Sequence, residues 1–195
     1  MFDHCWVILR SPGVETIPKN AEKWDLSHGI DENCTTTSKS SKGQKKQFQT
    51  KIEKSAKIVE ASTKGSLPVY GVNTGFGKLA NKIIPEEDSE QLQKNLVLSH
   101  CSGIGVPLPE DVTRLMMILK MISLSFGASG VKWSTINQIE KIINSGIIPE
   151  IPHQGSVGAS GDLAPLAHMA AVMIGEGWAF YNGEKLTGRE ALQKV

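Results

Sequence analysis

The densest chemical signal in the chain is Gly155-Ser156-Val157-Gly158-Ala159-Ser160-Gly161-Asp162-Leu163, in which five small residues flank Ser160 directly ahead of a helical pattern. A serine so placed suggests the nucleophile elbow of a hydrolase, but the G-x-S-x-G spacing fails. Ser160 has Gly158 two before it and Asp162 two after, and Ser156 has Gln154 two before it. Small residues at a helix N-terminus also favour anions, yet no Gly-Lys-Ser/Thr follows, so a Walker-type phosphate loop is excluded. The plain alternative is a tight turn in which glycines supply dihedrals that other residues avoid. Two further groups could do chemistry. One is the phenol of Tyr70 in the glycine-rich run Tyr70-Gly71-Val72-Asn73-Thr74-Gly75-Phe76-Gly77, and the other is the imidazole of His100 in Ser99-His100. Read alone, the first is a turn and the second a helix cap or a surface residue.

The longer string GSVGASGDLAPLAH (155–168) resembles the signature of the aromatic amino acid ammonia-lyases, the histidine and phenylalanine ammonia-lyase family. The resemblance extends in order over about residues 51–195. It implies that Ala159-Ser160-Gly161 cyclises autocatalytically into 4-methylidene-imidazol-5-one, so that no external cofactor is needed. The residue types suit that chemistry: the Gly161 amide nitrogen must reach the Ala159 carbonyl, which only small side chains permit, and Ser160 then leaves its hydroxyl as water. The Tyr70 run is similar to the family's tyrosine loop, which implies that Tyr70 is the base. Removing a weakly acidic β-proton needs an electrophile and a positioned base, a role open to a phenolate in a positive environment. Ser99-His100, within NLVLSHCSGIG, resembles the substrate-selecting segment: members acting on histidine carry Ser-His there, those on tyrosine His-Leu, those on phenylalanine Phe-Leu. The resemblance therefore implies L-histidine as substrate, urocanate and ammonia as products, and Ser99 and His100 as substrate-binding residues. Asp162 is expected to cap the helix that follows and, by resemblance, to assist cyclisation beside Ser160. The remaining histidines, His4, His28, His153 and His168, form no pair with metal-ligand spacing, so no metal is expected. His168 is expected to pack or hydrogen-bond.

These residues need helices to hold them. Ile52, Ala56, Val59 and Thr63 share one face of a helix that Gly65 ends. A second helix opens at Pro85-Glu86-Glu87-Asp88, its acidic first turn suiting the helix dipole, and runs past Ser99-His100 toward Gly103. A third starts at Pro109-Glu110-Asp111 with Val112, Leu115, Leu119 and Ile122 on one stripe; it is apolar almost all round and should be buried. Ser134 caps a fourth, with Ile136, Ile139 and Ile143 inward and Gly146 at its end. A fifth follows Asp162, tolerates Pro165 in its first turn and closes at Gly175, and WAFYNGEKLT (178–187) reads as a hairpin about Asn182-Gly183. With no βαβ alternation, the class is mainly α. The resemblance implies the N-terminal part of the helical aspartase/fumarase-like ammonia-lyase fold. It places the central helical bundle beyond Val195, together with the Asn, Gln, Tyr, Arg and Glu that the bundle supplies.

Composition bounds the rest. Among 195 residues, 21 Lys+Arg against 20 Asp+Glu leave a net charge of +1, so there is no global electrostatic footprint for nucleic acid or an anionic membrane. Cys5, Cys34 and Cys101 match neither a disulfide framework nor a metal knuckle. With no apolar run of membrane length and no basic n-region before the short apolar stretch at the N-terminus, a cytoplasmic location is expected. Residues 1–50 are expected to be a disordered or misassigned tail, since 31–50 are almost purely polar and cannot offset their ordering entropy; 51–195 form the helical lyase domain. The lysines at 39, 42, 45 and 46 offer a weak nucleic-acid alternative. Phe126 stands where relatives place a basic residue. The family implies a homotetramer with each active site built from several subunits. The rival readings are a tyrosine ammonia-lyase or aminomutase with the same group, and a truncated, non-catalytic remnant that never cyclises.

Overall fold

A computed structural model describes residues 42–65, 67–75, 78, 80–156 and 163–195. In chain order the elements are α1 (Lys42–Thr63), α2 (Glu86–His100), β1 (Ile104–Pro107), α3 (Glu110–Ser125), α4 (Trp133–Ser145), β2 (Ile148–Pro149), β3 (Pro152–Gln154), α5 (Leu163–Met173), β4 (Trp178–Tyr181), β5 (Glu184–Thr187) and α6 (Gly188–Leu192). The class is mainly α, as expected. None of the helices among the described residues is long and apolar enough to cross a membrane.

The core lies where α3, α4 and α5 meet. Ile136, Ile139, Ile142 and Ile143 of α4 are almost fully buried against Met117, Ile118 and Met121 of α3 and Leu166, Met169 and Val172 of α5, with Ile52 of α1 closing one side. The isoleucines recur at three and four residues, which keeps one helix face inward through about two turns. α4 ends as its sequence demands: Gly146 takes a left-handed conformation (φ 75°), and its N–H and that of Ile147 turn back to the last carbonyls. Its start differs from expectation. The helix begins at Trp133, with Lys132 as an extended N-cap and no side-chain cap bond, rather than at a capping Ser134. Trp133 packs against the core from the first helical position, and the Thr135 N–H to Lys132 carbonyl bond closes the turn.

Two other expectations are corrected. The buried face of α3 is Thr113, Met117, Met121 and Leu124, whereas Val112 is 43% exposed. A helix apolar on every side carries no periodic signal to say which face turns inward. α1 begins at Lys42, nine residues before the boundary expected at Lys51, so the polar stretch to Thr50 is helical from there. Phe48 packs against the core and Lys45 reaches Glu140 of α4 at 3.0 Å, contacts that composition alone does not reveal. The loop after α3 rests on α1: Gly127 and Gly130 have positive φ, the Gly130 N–H donates to Ser55 Oγ at 3.0 Å, and a side chain at Gly130 would run into Val59. Phe126, at the head of this loop, is 58% exposed.

β2, β4 and β5 form an antiparallel sheet that packs against α6 and, through β2, against α3 and α5. Its hairpin turns at Asn182 (φ 50°) and Gly183 (φ 82°), both left-handed, as a two-residue connection matched to strand twist requires. α6 opens with a reciprocal capping box between Thr187 and Glu190. β1 and β3 pair antiparallel, Ile104 opposite Gln154 and Pro107 opposite Pro152, with a register irregularity between them.

Candidate functional site

Helix α2 carries one candidate group at each end. Its C-terminal end holds Ser99 and His100. His100 is half-buried, and its Nδ1 lies 2.8 Å from the Leu96 carbonyl. A carbonyl only accepts, so Nδ1 carries the proton and Nε2 is left as the acceptor of the neutral ring. Ser99 Oγ donates to the same carbonyl at 2.9 Å and stands 3.2 Å from Nδ1, which fixes the ring's orientation.

The chain leaving α2 runs directly to the flanks of the small-residue segment. Through the β1–β3 pairing, residues 104–107 lie beside 152–154, which lead into Gly155. On the other flank, α5 packs against α2. The Gly103 N–H donates to Nε2 of His168 at 3.1 Å, and Lys94 pairs with Glu176 at 2.8 Å, so the two helices run in opposite senses. The N-terminal end of α5 thereby lies beside the C-terminal end of α2. Three backbones converge here. A Cβ built on Gly155 would lie 3.1 Å from Ala164 Cβ and 3.3 Å from Gly103 Cα; one on Gly103 would lie 3.0 Å from His168 Nε2 and 3.2 Å from Pro152 Cβ. Gly155 and Ala164, on either side of 156–163, are therefore in contact, with Gly103 seated against Gly155. Ala159, Ser160, Gly161 and Asp162 lie outside the described residues, as does the expected cap of α5 by Asp162.

Burial holds the His168 imidazole below its ordinary pKa, only partly offset by the Glu150 carboxylate. Burial raises the Cys101 thiol, whose Sγ donates to the Val97 carbonyl. His153 lies in β3, with Nδ1 3.1 Å from the Val106 carbonyl. Among the described residues no group of three His, Cys, Asp or Glu is arranged to hold a metal ion.

The other end of α2 holds the loop of Tyr70, whose side chain is 62% exposed. Asn73, buried, organises it. Its Oδ1 accepts from the Val69 N–H at 2.7 Å, and its Nδ2 points at the carbonyls of Leu67 (2.9 Å), Gly65 and Ser62 (both 3.3 Å). The Ile84 N–H donates to the Asn73 carbonyl at 2.9 Å and Thr74 bridges Ile83, immediately before Pro85 N-caps α2. The anchors of the tyrosine loop and of His100 are thus separated by a 15-residue helix, roughly 22 Å at ~1.5 Å per residue. The fold unites Ser99 and His100 with the flanks of 156–163 and ties the Tyr70 loop to the opposite end of α2. Sequence reasoning did not single out Asn73, Gly103 or Gly155 as organisers. The only available hint was an amide side chain, which bonds backbone readily, inside a glycine-rich run.

A family model described as "Aromatic amino acid lyase" matches residues 34–195. Among solved structures, phenylalanine aminomutase of Pantoea agglomerans is similar at 34% identity and a TM-score of 0.71, over 76% of this chain and 28% of that one. Tyrosine aminomutase of Streptomyces globisporus is similar at 34% identity and 0.70, with the same coverage. Histidine ammonia-lyase of Trypanosoma cruzi is similar at 34% identity and 0.68, over 75% of this chain and 28% of that one. The chain thus spans somewhat over a quarter of the length of these proteins.

Proposed function

The chain belongs to the aromatic amino acid lyase family, and on that premise we propose that it serves the non-oxidative deamination of L-histidine to urocanate and ammonia, in the cytoplasm, as part of a homotetramer. The observation that carries the substrate is the Ser99-His100 pair at the end of α2, where Nδ1 of His100 faces the Leu96 carbonyl, so that in a neutral ring Nε2 is the acceptor. A neutral substrate imidazole offers an N–H to such an acceptor. Ala159, Ser160 and Gly161 supply the electrophile: the Gly161 amide nitrogen closes on the Ala159 carbonyl with loss of one water, and Ser160 loses its hydroxyl and α-proton as a second. The resulting methylidene-imidazolone offers an electrophilic exocyclic methylene. The contact of Gly155 with Ala164 supports a tight turn at that place. Asp162 assists the cyclisation, and the N-terminal end of α5 favours negative charge developing there. Tyr70 is the base, held out to solvent by the Asn73 clamp.

A second reading, a tyrosine ammonia-lyase or aminomutase, draws support from the tyrosine aminomutase similarity and from the fact that a phenol also donates to a bare Nε2. Absorbance assays separate the two: urocanate from histidine supports the first, coumarate or β-tyrosine from tyrosine the second. Intact mass tests the group itself. A deficit of two waters is expected in the wild type and none in Ser160→Ala; a wild type without the deficit is the non-catalytic remnant. Asp162→Ala is expected to abolish the deficit, and full retention would remove Asp162 from the cyclisation.

A further inference from the structure

His168 has no part in the chemistry above, yet it is the side chain on α5 that reaches the segment following His100. The Gly103 N–H donates to its Nε2 at 3.1 Å. An accepting Nε2 is unprotonated, so the neutral ring carries its hydrogen on Nδ1. The approach is close because residue 103 has no side chain: a Cβ there would lie 3.0 Å from Nε2 and 3.3 Å from Cδ2 of the same ring. Gly103 in turn seats against Gly155, and Ala164, one helical turn before His168, meets the same face of Gly155. A single imidazole acceptor therefore ties three things together: the turn that fixes Ser99 and His100, the flank leading into 156–163, and the helix leaving it.

We propose that His168 is a positioning residue that holds the substrate-selecting end of α2 against Gly155 and Ala164 by accepting the Gly103 amide. The role rests on the family reading of both segments, but the contact itself does not. Loss of the acceptor leaves the Gly103 N–H without its partner and frees the turn after His100, so substrate binding suffers before the chemical step does.

The test compares His168→Leu, which fills similar volume without an acceptor, with His168→Gln, whose side-chain amide oxygen reaches about as far as Nε2. In the full-length protein, His168→Leu is expected to raise KM for histidine about tenfold, equivalent to one such hydrogen bond, with kcat changed less than threefold. It is also expected to raise hydrogen exchange at the Gly103 amide by a similar factor. His168→Gln is expected to restore both to within about threefold of wild type. A Leu variant with unchanged KM and unchanged Gly103 exchange overturns the proposal, as does a Gln variant no better than Leu. Should the Leu variant fail to fold, the wild type decides: a through-bond NMR coupling between the Gly103 amide and His168 Nε2 supports the contact, and its absence overturns it. Failure of the histidine reading looks different, because wild type would then release no urocanate while the Gly103–His168 coupling stood.

Discussion

The two ends of α2 hold their functional groups by opposite means. At the N-terminal end, the Tyr70 loop is tied by polar bonds: the Asn73 amide gathers three carbonyls and one N–H, and the phenol stands in solvent. At the C-terminal end, the segment after His100 is held by the absence of side chains, with Gly103 and Gly155 letting backbones meet and one imidazole closing the contact. The first arrangement fixes a loop whose tyrosine remains largely exposed. The second sets its segments so close that a methyl at Gly103 or Gly155 would require the neighbours to give by a few tenths of an ångström. Under the proposed roles, an exposed base suits the first arrangement and the proposed cyclisation of 159–161 draws on the second.

That contrast is breakable. The largest effect is expected from Gly155→Val: its Cβ already meets Ala164 and Gly103, so the branches must displace backbone at a cost of about 3 kcal/mol. The two-water deficit should vanish in intact mass; a variant that still cyclises would mean the close approach is incidental. Asn73→Ala should cost about 2 kcal/mol, since the buried amide is lost and its partners are left bare. Its signature should be local, with faster exchange at the Val69 amide and lost turnover but a full two-water deficit. If Asn73→Ala also stopped cyclisation, the two ends would not be independent. Thr187→Ala, away from both, removes one half of the α6 capping box and should cost about 1 kcal/mol in a thermal melt with the deficit and turnover intact. The smallest effect concerns acidity. His168 is held below its unfolded pKa, so the folded chain binds fewer protons and this contribution to stability is complete above about pH 6.5. It should fade as pH falls through the lowered value, and a pH series of melts on His168→Gln should lack that increment.

Much of this organisation is legible in the residues themselves. Pro85 and Pro109 stand at the N-caps of α2 and α3, Gly146 ends α4, and Asn182-Gly183 turns the hairpin, each because a backbone constraint leaves few alternatives. The packing or hydrogen-bonding role expected of His168 is met by its bond to Gly103. The β1–β3 pairing was not legible, since Pro107 and Pro152 interrupt any alternation and each strand finds its partner far along the chain. The inward face of α3 was hidden by its own uniform apolarity, and the start of α1 by the polarity of residues whose partners lie on α4. The Thr187–Glu190 capping box was open to reading, because a threonine three residues before a glutamate is its spacing. The Asn73 clamp needs knowledge of where the chain folds back, which spacing alone does not carry.

The contact between Gly155 and Ala164 has a consequence for engineering. A stretch whose two ends touch makes few demands on whatever carries it: a host need only present one strand end and one helix start at van der Waals separation, with a glycine backbone beneath them. Residues 155–168 are in that sense a portable cassette. Transplanted into a helical scaffold with such a pair of ends, they would test whether the proposed condensation needs anything of the lyase beyond them.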